Sequence, residues 1–177
     1  PSQRLAALTA RWSRNGAACS RYMWSQSELE VELSIFLPPG TRARNLVVDI
    51  RQPAHPAQQR LRALTRGVGD TVFDEVLAYA VLSPEDASDL SWEVCDFEAK
   101  GGRRVLRVTL TKQVIQGVRI WWTRAFDGEA DIDPLQIPDR RHASAAKSHQ
   151  AAWAAAQEEF RKRVSSQRKA MELDLGE

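Results

Sequence analysis

The chain has 177 residues, 25 Lys+Arg against 23 Asp+Glu, two cysteines and 43% hydrophobic residues, a length that suits one compact domain with extensions better than two full domains. A net charge of +2 lacks the concentrated positive charge that drives phosphate binding, and Cys19 and Cys95 are too few for the disulfide framework of a small secreted domain. No apolar run approaches the roughly 20 residues that span a bilayer, so a reducing, cytoplasmic setting is the simplest expectation.

The charge is unevenly placed. Residues 1–21 carry Arg4, Arg11, Arg14 and Arg21 with no acid, residues 139–177 are mildly basic, and the middle, 22–138, is acidic. This partition predicts a basic N-terminal arm (1–21), a central domain (22–138) and a C-terminal extension (139–177). Leu5, Leu8 and Trp12 in the arm fit two readings. One is an Arg-, Ser- and Ala-rich targeting segment, which would make the protein organellar; the other is a short amphipathic helix docking on the domain.

The central part reads as strands. From Glu28 to Leu37 the residues alternate, with Leu29, Val31, Leu33, Ile35 and Leu37 on one face, and Pro38, Pro39 and Gly40 stop the run. Asn45 to Arg51 forms a second strand and Leu61 to Thr65 a third. Val72 to Val81 supplies one or two more, although its alternation is poor. Ser91 to Phe97 and Arg103 to Lys112 form a pair around a turn at Gly101-Gly102. Six or seven short strands over this length predict an antiparallel sandwich.

The C-terminal extension changes period. From about Arg141 to Met171 there is no proline or glycine and alanine is abundant, which predicts a long helix. Trp153, Ala156, Phe160 and Val164 make one apolar stripe along it, and Glu158 with Lys162 and Glu159 with Arg163 are favourable i,i+4 pairs.

Several motifs then fall in order. Tyr22-Met23-Trp24-Ser25-Gln26 leads into the acidic alternating strand, followed by Pro39-Gly40-Thr41-Arg42-Ala43-Arg44 and Leu46-Val47-Val48-Asp49-Ile50. Ser91-Trp92-Glu93, a strand ending Leu110-Thr111-Lys112, Trp121-Trp122 and Asp131-Ile132-Asp133-Pro134 complete the series. Over residues 22–138 this order resembles the CS domain of the nuclear distribution protein C (NudC) family. The resemblance implies an all-β fold, a seven-stranded antiparallel β-sandwich similar to the small co-chaperone of the large ATP-dependent heat-shock chaperone. It also implies a non-enzymatic protein without cofactor, associated with client stabilisation, with that chaperone and with dynein-related transport. The chain departs from the family at its centre, where Arg66-Gly67-Val68-Gly69 is followed by Phe73-Asp74-Glu75-Val76-Leu77 without the second glycine of the family's central hairpin. The long N-terminal coiled coil of dimeric members is absent from this sequence.

The residues offer little conventional chemistry. His142 and His149 are about 10 Å apart along a helix, too far to share a metal, and His55 sits in a proline-rich loop. Cys19 and Cys95 have no partner at redox or metal spacing. Gly67-Val68-Gly69 lacks the Lys-Ser/Thr of a phosphate loop. Asp127, Glu129, Asp131 and Asp133 alternate, but Ile132 and Pro138 stand where a calcium loop needs glycine and glutamate. The acids instead form an exposed loop fit to meet a basic partner surface.

Aromatic residues are the stronger candidates for contact with a partner. Trp24, Trp121 and Trp122 belong to the β-domain; if Trp121 and Trp122 are extended, one points in and the other out. Trp153 and Phe160 on the helix present the same choice between packing on the sandwich and docking into another protein. With Asp131 and Asp133, these five aromatics are the candidate partner-binding residues. Two functions follow: a chaperone or co-chaperone binding protein clients or the heat-shock chaperone, or a structural subunit of a large assembly, dynein-related or organellar, anchored by the extensions. RNA binding through the basic ends is the weaker third reading, because the C-terminal cations are interleaved with acids.

Overall fold

A computed structural model describes residues 3–52, 58–85, 89–98, 102–114 and 120–140, with Trp153, Gln157 and Glu158. The chain forms two units, 1–137 and 138–177.

The first unit is built on two antiparallel sheets. Helix α1 (Gln3–Trp12) comes first, followed by strands β1 (Ala17–Ala18), β2 (Tyr22–Gln26), β3 (Glu30–Phe36), β4 (Leu46–Arg51), β5 (Arg60–Thr65), β6 (Thr71–Val76), β7 (Ser91–Asp96) and β8 (Arg104–Thr111). One sheet has the order β1-β2-β3-β8-β7 and the other β4-β5-β6. The expected seven strands are thus eight among the described residues. The addition is β1, whose two residues pair with Trp24 and Met23 and are too short to show an alternating pattern.

Period-two alternation explains how the sheets meet. In the five-stranded sheet the register aligns Tyr22 with Ile35, Trp24 with Leu33 and Gln26 with Val31, and β8 continues these rows with Leu106, Val108 and Leu110. All of these apolar residues enter one buried cluster, together with Leu46, Val48, Leu61, Ala63 and Phe73 of the three-stranded sheet. The two sheets therefore share one core, as in a β-sandwich.

Local chemistry sets the strand ends. Ser27 turns β2 into β3, its hydroxyl accepting from the Leu29 and Glu30 amides. This places Leu29 before the strand and leaves it 49% exposed, a correction to its expected place on the inner face. At the divergent central hairpin, Gly67 and Gly69 adopt φ of 87° and 77°, which allows the tight turn between β5 and β6. That turn answers the question of a phosphate loop: the glycines close a hairpin and open no helix. The poorly alternating stretch after β6 makes only isolated bridges, Leu77 to Phe126 and Val81 to Lys112.

The outer face of the five-stranded sheet carries a second, smaller cluster. Met23, Phe97 and Val105 are buried there, with Leu5, Leu8 and Trp12 of α1 packed against them. Trp12 meets Phe97 edge-on at 5.2 Å between ring centres. The amphipathic helix anticipated in the arm is therefore docked on the sheet.

In the second unit, residues 138–140 and Trp153, Gln157 and Glu158 are helical. The expected long helix otherwise lies outside the described residues, as do Phe160, His55, His142 and His149, and the described residues do not support its length.

Gly16 marks the tightest backbone contact. A Cβ there would lie 2.2 Å from the Trp24 carbonyl oxygen, a clash that backbone movement alone relieves. Gly16→Ala is expected to destabilise the fold by about 2 kcal/mol or more in urea titration, the range typical of overpacking against fixed atoms.

Candidate protein-interaction site

Of the residues singled out in sequence, Trp122 meets the side chain of Gln26, which is buried at the end of β2. Its Nε2 donates to the Asn15 carbonyl at 2.7 Å and the Trp122 carbonyl at 2.9 Å. Its Oε1 accepts from Lys112 Nζ at 2.7 Å and from the Trp122 amide at 2.9 Å. Asn15, held at a φ of 59°, completes the exchange by donating to the Gln26 carbonyl at 2.9 Å. The aromatic-x-Trp-x-Gln spacing now has a cause: positions 22, 24 and 26 share the inner face of one strand, placing two rings in the core and the amide at its edge.

Lys112 is buried at the end of β8. Its ammonium donates to Gln26 Oε1, the Ser27 carbonyl at 2.8 Å and the Ile120 carbonyl at 3.1 Å, so all three donors are used. Burial pushes its pKa down to about 8, with Glu28 acting weakly in the opposite direction.

This clasp positions the tryptophan pair. Trp122 is 1% exposed and stacks obliquely on Tyr79 at 5.3 Å. Trp121 is half-buried, with the Lys112 ammonium 5.1 Å from its ring centre. One ring does point in and the other out. Apolar side chains are exposed near Lys112 in the chain and fold: Leu29, whose carbonyl accepts from the Lys112 amide, and Val114, two residues beyond Lys112, are each 49% exposed.

After Trp122 the chain pairs with the end of β6 and the residues that follow it. The Ala78 amide donates to the Ala125 carbonyl at 3.1 Å, and the Asp127 amide to the Val76 carbonyl at 2.8 Å. Phe126, packed on Tyr22 and Phe73, anchors this segment in the core.

The acids beyond it do not converge. Glu129 accepts from the Tyr22 hydroxyl, which burial and this carboxylate together push to a raised pKa. Asp131 accepts from Thr123 and Arg124, while Asp133 caps the single turn Pro134–Gln136 through the Leu135 amide. Asp127 binds the Gly128 amide. Among the described residues no three metal-ligating side chains meet, and the thiols are separate, Cys19 exposed and Cys95 half-buried.

The candidates therefore divide. Trp24 and Trp122 are core residues whose rings offer no surface, whereas Asp131 and Asp133 are exposed, Trp121 half-exposed, and Trp153 in the second unit 67% exposed. Phe160 lies outside the described residues. Lys112 escaped sequence reasoning because a strand-terminal lysine ordinarily reads as solvated. Its only signal was its place in the Leu110-Thr111-Lys112 motif.

No family model matches the chain. Over 123 residues it is 28% identical to Protein BOBBER 1 and to Protein BOBBER 2 of Arabidopsis thaliana, an alignment covering 70% of this chain and 34% and 35% of those proteins. The chain thus spans about a third of the length of the curated relatives it matches. A solved structure, the nuclear movement protein from E. cuniculi GB-M1, is similar at 20% identity and a TM-score of 0.33, over 60% of this chain and 99% of that one. The BOBBER likenesses support a CS-domain-like fold.

The lowered pKa of Lys112 has a defined sign. Between about pH 8 and the ordinary lysine value of 10.5 the unfolded chain holds the proton more tightly than the folded one, so stability rises with pH across that window. Measured against Lys112→Met, which cancels other titrations, the wild-type urea midpoint is expected to gain between about pH 8 and pH 10, with a slope approaching one proton. A flat difference would mean that the folded protein holds the Lys112 proton as tightly as the unfolded chain does.

Proposed function

We propose that this chain is a non-enzymatic chaperone or co-chaperone module of the NudC kind, which binds and stabilises protein partners. One observation carries the reading: Trp121 is half-exposed over the ammonium of the Lys112–Gln26 clasp, and Leu29, bonded to the Lys112 amide, is exposed as well. An indole fixed from behind loses little side-chain entropy on binding, and rigid aromatics surrounded by apolar neighbours are the usual anchors of protein contacts. The likeness to the BOBBER proteins over 123 residues supports the same class. Protein clients and the large ATP-dependent heat-shock chaperone are the proposed partners.

The test is suppression of aggregation of a heat-denatured protein without ATP. The wild-type chain is expected to suppress it, and Trp121→Ala combined with Leu29→Ser to weaken suppression several-fold with little change in urea midpoint. Full aggregation in the presence of excess chain, together with no capture of the heat-shock chaperone, overturns the proposal.

A second reading, a fixed subunit of a large dynein-related or organellar assembly, draws on Trp153, which is helical and 67% exposed. In size-exclusion of native extract, Trp153→Ala is then expected to move the protein from large particles to a free pool. A free pool in the wild type rules this reading out.

A further inference from the structure

We propose that the cleft between α1 and the outer face of the five-stranded sheet is a docking site for an acidic peptide segment of a partner protein, one that carries an apolar side chain between its carboxylates. The inference rests on the protein-binding reading above but concerns a different surface from Trp121.

The cleft has a volume of about 570 Å3, within the range that receives one or two large side chains. Its apolar lining comes from Leu5, Leu8 and Trp12 on one side and Phe97 on the other. No residue of α1 is buried, so the apolar stripe that holds the helix to the sheet is only half used. The helix stands on the sheet with an open seam beneath it.

Charge selects the occupant. The sheet wall contributes three carboxylates, each already paired: Glu32 with Arg107, Asp96 with Arg104 at 3.4 Å, and Glu98 with Arg103 at 3.6 Å. Arg107 is further engaged over the Trp12 ring at 4.7 Å. The helix wall contributes Arg4 and Arg11, which have no carboxylate partner among the described residues. Seven residues apart, they lie on one helix face with a rise of about 10 Å between them. The lining carries three arginines and three carboxylates; counted with the paired neighbours Arg103, Arg104 and Glu93, one positive charge is left over, and the arginines without a carboxylate, Arg4 and Arg11, flank an apolar floor. A peptide with carboxylates spaced to reach both arginines, and a Phe or Leu between them, meets both features without displacing anything.

An anionic membrane is the competing occupant for a basic amphipathic helix. To reach a membrane, the stripe of Leu5, Leu8 and Trp12 would have to leave the sheet and uncover Met23, Phe97 and Val105, which are buried beneath it. The peptide requires no such exposure. By contrast, on the outer face of the three-stranded sheet each of three arginines already has a carboxylate: Arg62 forks onto Asp49 at 2.9 and 3.0 Å, Arg51 shares that carboxylate at 3.8 Å, and Arg60 pairs with Asp74 at 3.1 Å.

Fluorescence anisotropy of a labelled synthetic peptide, a Phe-Leu centre flanked on both sides by Glu, tests the site on the full chain. Binding is expected, falling roughly tenfold in Arg4→Gln/Arg11→Gln and also at several hundred millimolar salt. Leu8→Ala is expected to weaken it independently of salt. Far-ultraviolet circular dichroism and the urea midpoint confirm that both variants fold. No binding, undiminished binding to the double variant, equal binding of a Lys-flanked peptide, or capture by anionic vesicles in place of the peptide each overturns the inference. Aggregation suppression that survives in the double variant while the peptide fails would remove this site and leave the proposed function standing.

Discussion

The Gln26 side chain uses every hydrogen-bonding site it possesses, and the closure of the sandwich depends on that. Two donors and two acceptor positions reach Asn15, Lys112 and both backbone groups of Trp122. Those partners come from three stretches of chain that share no strand pairing with one another: the turn after α1, the end of β8 and the segment that returns to the end of β6. A buried amide is costly when half satisfied and specific when fully satisfied. Removing it would strand the Trp122 amide and leave the Lys112 ammonium one acceptor short. An apolar side chain in its place could fill the volume but could not fix the position of Trp122 against Tyr79, and the outward direction of Trp121 follows from that position.

The same strand imposes a second constraint. Because β2 alternates, the residues between Tyr22, Trp24 and Gln26 point away from the main core, and one of them is Met23. A large apolar residue on an outer sheet face needs a cover. Phe36, Val105 and Phe97 join it there, and α1 supplies the cover through Leu5, Leu8 and Trp12. The helix is thus answered by a complementary patch on the sheet, and the Gly16 and Asn15 turn that leads out of it is locked against Trp24 and Gln26. Both faces of β2 are committed, one to the core and the other to the helix.

Most strands were legible because burial on one face enforces period two: β3, β4, β5, β7 and β8 lie within a few residues of where alternation placed them. Legibility failed where the cause was non-local. Leu29 continues the apolar alternation of β3, but the Ser27 turn takes it out of the sheet. The pair Ala17–Ala18 has no pattern of its own and becomes a strand only through its register with Met23 and Trp24. In the site, the aromatic motif was visible and its sorting was not. Nothing in the string Trp121-Trp122 says which ring points inward; that is decided by hydrogen bonds to a glutamine roughly a hundred residues earlier. Lys112 was invisible for the same reason, since its burial depends on three acceptors brought together by the fold.

The partition of charge gains a meaning it lacked as a composition. Many carboxylates of the central segment pair with its own arginines, Asp49 with Arg62, Asp74 with Arg60, Glu32 and Glu93 with Arg107, while Glu75 draws on Arg21 of the arm. Arg21, the last basic residue of the arm, also stacks over Phe73 at 5.4 Å, joining the arm to the three-stranded sheet. Arg4 and Arg11 are left outside this accounting, and they sit where the helix and sheet fail to close. Surface pairs of this kind add little stability individually, so their value lies in what they remove: each neutralised carboxylate is one less competitor for the two arginines, and the seam beside α1 keeps a net positive field although the chain as a whole is nearly neutral.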